Sequence, residues 1–356
     1  MLQPKKLKKS ELNPNLSRNL VFNKNTIQKT TKKKHSRGTI NNLDVETQSL
    51  SLHINSIFRD NYYLTPPTDF TYTIPINCEN ITSLRLTSLS LPNTWYLFSS
   101  EKGNNTFTIE IYELKSEGGE RDPNGATWIH TIVIPDGNYT RDELVTFLNR
   151  QYFEDLNEGE NVIDVLRAEY QNRMRNIRFE INPNSLKTSF HILETDRRHG
   201  FDLIFVDEHN NSMIHSAGWL LGFRKAKYIN VTKKIQSEAL FDGGGERYIY
   251  FSLNDFTLNK VNDNIICLDN TYMEKNILAK INISTNSFGI QIEDNPDSEF
   301  IHTKTRLYSG PVSLKKLKVK LIDMYGNLIN LNSMDFSFTL ELEKLYQTVV
   351  LLEYLL

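Results

Sequence analysis

The chain has 356 residues, is 39% hydrophobic and 11% aromatic, and carries a formal net charge of −2. This length can bury a sizeable core. Its two cysteines exclude a disulfide framework, and no stretch approaches the roughly 18 to 20 apolar residues of a membrane-spanning helix.

The near-neutral charge conceals an asymmetry. Eleven Lys or Arg residues oppose only Glu11 in positions 1 to 40, so that segment carries +10 and the rest of the chain −12. Its bases include Lys5, Lys6, Lys8, Lys9, Lys32, Lys33, Lys34 and Arg37, and its apolar residues (Leu7, Leu12, Leu16, Val21, Phe22, Ile27) are scattered. They are too few to bury a core, so residues 1–44 are expected to form a basic arm that is disordered or extended alone and orders on a partner. No apolar run of roughly 7–15 residues follows the basic start, which excludes a secretory signal. Such an arm suits DNA phosphates, anionic lipid of an internal membrane or acidic neighbouring subunits. No interleaved aromatics favour base stacking.

From Thr47 the texture becomes short alternating runs broken by Asn, Asp, Gly and Pro. The pattern predicts strands over 49–57, 70–74, 81–91, 106–112, 128–134, 177–181, 188–193 and 202–206. Later strands fall at 227–231, 248–253, 278–283, 302–307, 314–323 and 335–345. Thr140 is a good N-cap with Glu143 three residues on, opening a helix over 140–153. A second short helix is expected over 216–223, ended by Gly222. The fold class is therefore all-β, a jelly-roll sandwich with an α/β insertion. The domains read as the arm 1–44, a first part of the body 45–135, a helix-containing insertion 136–232, the remainder of the body 233–347 and a tail 348–356. Val350, Leu351, Leu352, Leu355 and Leu356 make that tail apolar and suited to burial against a neighbour or the protein's own sheet.

Catalytic chemistry is not indicated. Gly243-Gly244-Gly245 precedes Glu246-Arg247 rather than Lys-Ser or Lys-Thr, so it reads as a strand connection. The eight histidines show no zinc spacing, and Glu293, Asp294, Asp297 and Glu299 read as a solvated loop. Cys78 and Cys267 are expected to be buried thiols. No catalytic, cofactor or metal residue is assigned, and the protein is expected not to be an enzyme. Exposed Tyr62, Tyr63, Trp95 and Trp128 would motivate a glycan-binding alternative.

Four segments together resemble minor capsid and penton-type jelly-roll proteins of nucleocytoplasmic large DNA viruses and their smaller relatives. They are Ile81 to Tyr96 with Asn104-Asn105-Thr106-Phe107; Ile134 to Leu144; Leu220-Leu221-Gly222-Phe223; and Tyr308-Ser309-Gly310-Pro311 with the strands around Asp323-Met324-Tyr325-Gly326-Asn327. The resemblance implies a structural subunit of an icosahedral capsid, at the inner face or vertex of the shell and made in the host cytoplasm. Its implied partners are the major capsid protein and other capsid subunits, with a homopentamer if it is a vertex protein. Penton, inter-capsomer cement and membrane-linking roles stay open, as does arm contact with lipid or DNA.

Overall fold

The computed structural model describes residues 47–153, 174–206, 212–262, 264–267, 273–283, 288–289, 291–294, 301–303 and 305–345. The basic arm, the apolar tail, Asp297 and Glu299 lie outside these residues.

In chain order the elements are β1 (Thr47–Asn55), β2 (Asp69–Pro92), β3 (Thr106–Glu113), β4 (Thr127–Val133), α1 (Arg141–Leu148), β5 (Ile177–Ile181), β6 (Lys187–Ile192), β7 (His199–Ile204), α2 (Ala217–Leu220), β8 (Lys227–Val231) and β9 (Lys234–Leu240). There follow β10 (Tyr248–Asn254), β11 (Ile266–Cys267), β12 (Met273–Glu274), β13 (Ile277–Asn282), β14 (Gln291–Asp294), β15 (Ile301–Thr303), β16 (Arg306–Ile322) and β17 (Ser337–Leu345). Every pairing is antiparallel, and the all-β class holds.

An outer sandwich is organised by two long strands. The first half of β2 pairs with the second half of β16, which continues to β10, β13 and β15. The second half of β2 pairs with β17, and through it β1, while β14 takes its last residues. In a flat sheet β10 and β17 would lie three strand spacings apart, roughly 14 Å. Their Phe251 and Phe338 rings instead sit 5.0 Å apart, and Phe70 meets Phe336 at 6.1 Å, so the strands fold over into two layers.

Irregularities make that fold-over possible. Strands 70–74 and 81–91, expected to be separate, are one strand that carries left-handed Asn80 (φ 60°) at the turn between layers. The β2–β16 register shifts between Leu314 and Lys316, a bulge that turns Leu314 inward with Leu317, Val319 and Leu321. Simple alternation places Leu314 with the lysines, and the extra residue overturns it. Asp323-Met324-Tyr325-Gly326 forms a turn, with the Asp323 carboxylate accepting from the Tyr325 and Asn327 amides. It does not make a hairpin, because β16 and β17 flank β2 from opposite sides.

Among the described residues, buried side chains between Leu97 and Phe241 form a second hydrophobic core. A sheet ordered β4-β3-β7-β8 faces one ordered β5-β6-β9, with Phe107 of β3 against Phe190 of β6 at 5.7 Å. The boundary expected at 135/136 falls inside this unit, since β3 pairs with β7 across it. α1 starts on the expected capping box, Thr140 with Glu143. It ends at Leu148 in a wider turn, Asn149–Phe153. There the buried Asn149 side chain donates to the Phe179 carbonyl at 2.8 Å and accepts from its amide at 3.0 Å, acting as a strand partner for the edge of β5.

Gly222 ends α2 as expected, at φ 91°, and its carbonyl accepts from the Ala239 amide at 2.8 Å to tie β9 to the helix. A Cβ there would lie 2.4 Å from the Ala239 carbonyl oxygen. Gly222→Ala is therefore expected to lower stability by at least ~1–2 kcal/mol, read as a lower midpoint in thermal unfolding. Cys78 is buried, but Cys267 is exposed, against expectation, because β11 and β12 form a separate two-stranded ribbon.

Candidate interaction site between the two sandwiches

Two places on the body can carry attachment. The first is where its terminal strands meet. Thr47, the first residue of β1, lies opposite Leu345, the last of β17, so the segments beyond them leave from one corner of the outer sandwich. β1 is the edge of its sheet among the described residues. It contains neither proline nor lysine and its register has no bulge, so it lacks the usual devices that discourage edge pairing. The arm and tail residues assigned to partner binding lie outside the described residues, and only their point of departure is defined.

The second is a cleft of about 770 Å³ between the sandwiches, at the opposite end of β17. Asn104 and Asn138 in its lining belong to a network of Asn and Asp side chains. Asn138 accepts from the Leu97 amide at 2.6 Å and donates to the Trp95 carbonyl at 3.1 Å. Asp136 accepts from the Ser100 amide at 2.7 Å and its hydroxyl at 2.8 Å. Asn104 accepts from the Ser99 amide and donates to the Leu97 carbonyl, and Asn105 donates to the Ile134 carbonyl. These asparagines, two of which head Asn-X-Thr sequons, are structural hydrogen-bonding groups.

Across the cleft, Thr94 donates to the Leu331 carbonyl at 2.7 Å, Asn330 binds Glu101, and the His215 ring meets Tyr325 edge-on at 5.0 Å. All four segments that carry the sequence resemblance contribute to its lining: Trp95 and Asn104, Asn138, Leu220, and Asp323 to Tyr325. Each segment alone looks like an ordinary strand end or turn, and only the fold brings them together.

The electrostatics centre on Glu246, 8% exposed at the start of β10. Its Oε1 faces the Lys102 ammonium at 3.4 Å, while Oε2 has no hydrogen-bond partner. Burial, against the pull of Lys102 and with a contribution from Asp323, raises its carboxyl pKa above the usual range. Burial and the carboxylates of Glu246, Asp323 and Asp242 likewise raise the Tyr325 phenol. Sequence reasoning took Gly243 to Glu246 only as a connection and missed Lys102, Trp219 and Arg224 altogether.

The aromatics that would motivate glycan binding do not form one platform. Trp95 is 5% exposed rather than surface-lying. Tyr62 sits under the Arg59 guanidinium at 4.0 Å in the outer unit, and Trp128 packs beside His199 in the inner one. Among the described residues no group of three His, Cys, Asp or Glu side chains is arranged to hold a metal.

No family model matches the chain, and no curated protein does. Among solved structures it is similar to the mavirus penton protein, at 12% identity and TM-score 0.42, over 83% of this chain and 99% of that one. It is also similar to a chain of the Sputnik virophage solved by cryo-electron microscopy, at 13% identity and TM-score 0.36, over 83% and 98%.

Proposed function

We propose that the protein is a structural subunit of an icosahedral viral capsid, of minor capsid or penton type, that joins neighbouring subunits through its two ends. The observation that carries this reading is the pairing of Thr47 with Leu345, which gives a +10 arm and an apolar tail a common origin on an acidic body. Two chemically different attachments at one corner suit a subunit fixed at one pole, the arm engaging acidic surface and the tail finding apolar cover. The four resembling segments add to it by converging on the junction of the two sandwiches, where they serve architecture. We assign the body as two nested units, the outer built from 47–95 and 248–345 and the inner from 97–241.

Deleting residues 1–44 is expected to leave a folded body with an unchanged β-type circular dichroism spectrum and to reduce incorporation into particles at least tenfold. Normal incorporation of that deletion counts against the arm as a joint. A genome-contacting role for the same +10 segment predicts DNA binding that falls steeply between 50 and 200 mM salt and vanishes with the deletion.

A further inference from the structure

The cleft between the sandwiches contains a buried carboxylate that the described body satisfies only in part. Glu246 is more than nine-tenths buried and lines the cleft, and its Oε2, itself buried beneath the cleft surface, has no hydrogen-bond partner. An unpaired buried carboxylate oxygen costs free energy that a charged donor would recover. The bases nearby are already engaged: Lys102 faces Oε1, Arg247 lies 3.4 Å from Asp242, and the Arg224 guanidinium lies 3.8 Å over the Trp219 ring. That last contact shows a cleft wall of the kind that seats a cation on an aromatic face. Tyr96 and Tyr325 supply further aromatic surface for an aliphatic shank. An anion would meet the carboxylates of Glu246 and Asp323, whereas a cation adds to the partial compensation that Lys102 supplies.

We propose that this cleft is a receptor for a lysine or arginine side chain of the basic arm, residues 1–40, contributed by a neighbouring copy of the chain. The proposal rests on the assembly reading above and names the surface that receives the strap. Charge supports the choice of occupant, since the arm carries +10 and the remainder −12. So does reach. The cleft lies at the Ser337 end of β17 and the arm departs beside Leu345, about 30 Å away along nine residues of strand. The 46 residues before β1 can span at most roughly 150 Å. That is about five times the distance to the chain's own cleft, which leaves length to reach a neighbour's.

The test uses the full-length protein in assembled particles, with a photo-crosslinking p-benzoylphenylalanine in place of Leu7 or Phe22 and equal amounts of light and heavy isotope-labelled copies. Cross-links between copies are expected to concentrate in 93–102, 212–224, 242–247 and 323–332. Glu246→Gln should lower their yield about tenfold, as should replacing Lys5, Lys6, Lys8 and Lys9 with Gln. Glu246→Gln retains side-chain shape and removes the buried charge, so its thermal midpoint is expected to be equal or higher, which separates lost docking from lost folding. Cross-links confined to single copies, mapping elsewhere, or insensitive to Glu246→Gln overturn the proposal. If deleting residues 1–44 still blocks incorporation while cross-links miss the cleft, the cleft assignment fails and the joining reading survives. If the deletion is incorporated normally while the cross-links appear as expected, the joining reading fails and the cleft assignment stands.

Discussion

Replacing Asp255 with Ala is expected to destabilise the outer sandwich by about 3 to 5 kcal/mol, the cost of stranding a buried cation. Asp255 and Arg306 have side chains 0% and 4% exposed and meet at 2.9 Å. The Arg306 guanidinium also donates to the Leu253 and Asn276 carbonyls, and the carboxylate accepts from the Tyr308 hydroxyl at 2.7 Å and from the Thr257 amide and hydroxyl. Lys260 approaches at 3.4 Å. Removing the carboxylate leaves Arg306 charged among apolar strands, whereas the double replacement Asp255→Leu with Arg306→Met should recover most of the loss. Urea unfolding of the two variants checks this, and equal losses in the single and double variants would contradict it.

The same group sets an acid limit. Burial opposes ionisation of Asp255, but Arg306 and the hydrogen bonds from Tyr308 and Thr257 outweigh it and hold the carboxyl below its ordinary value. A depressed carboxyl contributes stability that is present above the unfolded pKa of about 3.9 and is lost as pH falls through the folded value. Stability is therefore expected to drop below about pH 4, and an Asp255→Asn chain, already destabilised, should show a shallower drop over that range.

Phe190→Ala is expected to cost the inner sandwich about 3 to 5 kcal/mol. Its fully buried ring lies within 5.0 to 6.2 Å of Phe179, Phe107, Phe223 and Phe153, so it touches both sheets and the end of the helical segment. The hole left behind borders rigid aromatic rings that cannot collapse far, which puts the loss toward the top of the range. Because the two cores share no residue, the variant should unfold in two steps in calorimetry, with the inner step moved to lower temperature. A single transition displaced as a whole would show that the sandwiches unfold as one.

The strands that sequence resolved best are those with strict alternation and one buried face. β5, buried at every second residue, starts and ends where the pattern places it, β8 does so although a left-handed Asn230 breaks its alternation, and the Thr140 capping box forms as spaced. What escaped has identifiable physical causes. β9 (Lys234–Leu240) is a sheet edge, exposed along most of its length, and lacks an apolar face to read. β14 comprises acidic residues that composition assigns to a loop, yet β2 supplies a free ladder for it. A bulge at Leu314 and a left-handed Asn80 shift phase locally, and alternation alone contains no mark of either. The cleft was invisible for another reason. Its cross-junction bond from Asn330 to Glu101 joins positions 229 apart, and Glu246 becomes a candidate binding group only when burial leaves one of its oxygens without a donor.

The pairing of β1 with β17 also dictates an order of events during synthesis. Contacts such as Ser49 with Glu341 join residues 292 apart, whereas the inner core is drawn from 97–241. At about 5 to 20 residues per second, the ribosome releases β17 roughly 15 to 60 s after β1. The inner sandwich can condense in that interval, while the first strand waits without its ladder and the basic segment ahead of it is already exposed. The corner where β1 meets β17 is therefore completed last, and a chain truncated before β17 leaves β1 without its partner strand.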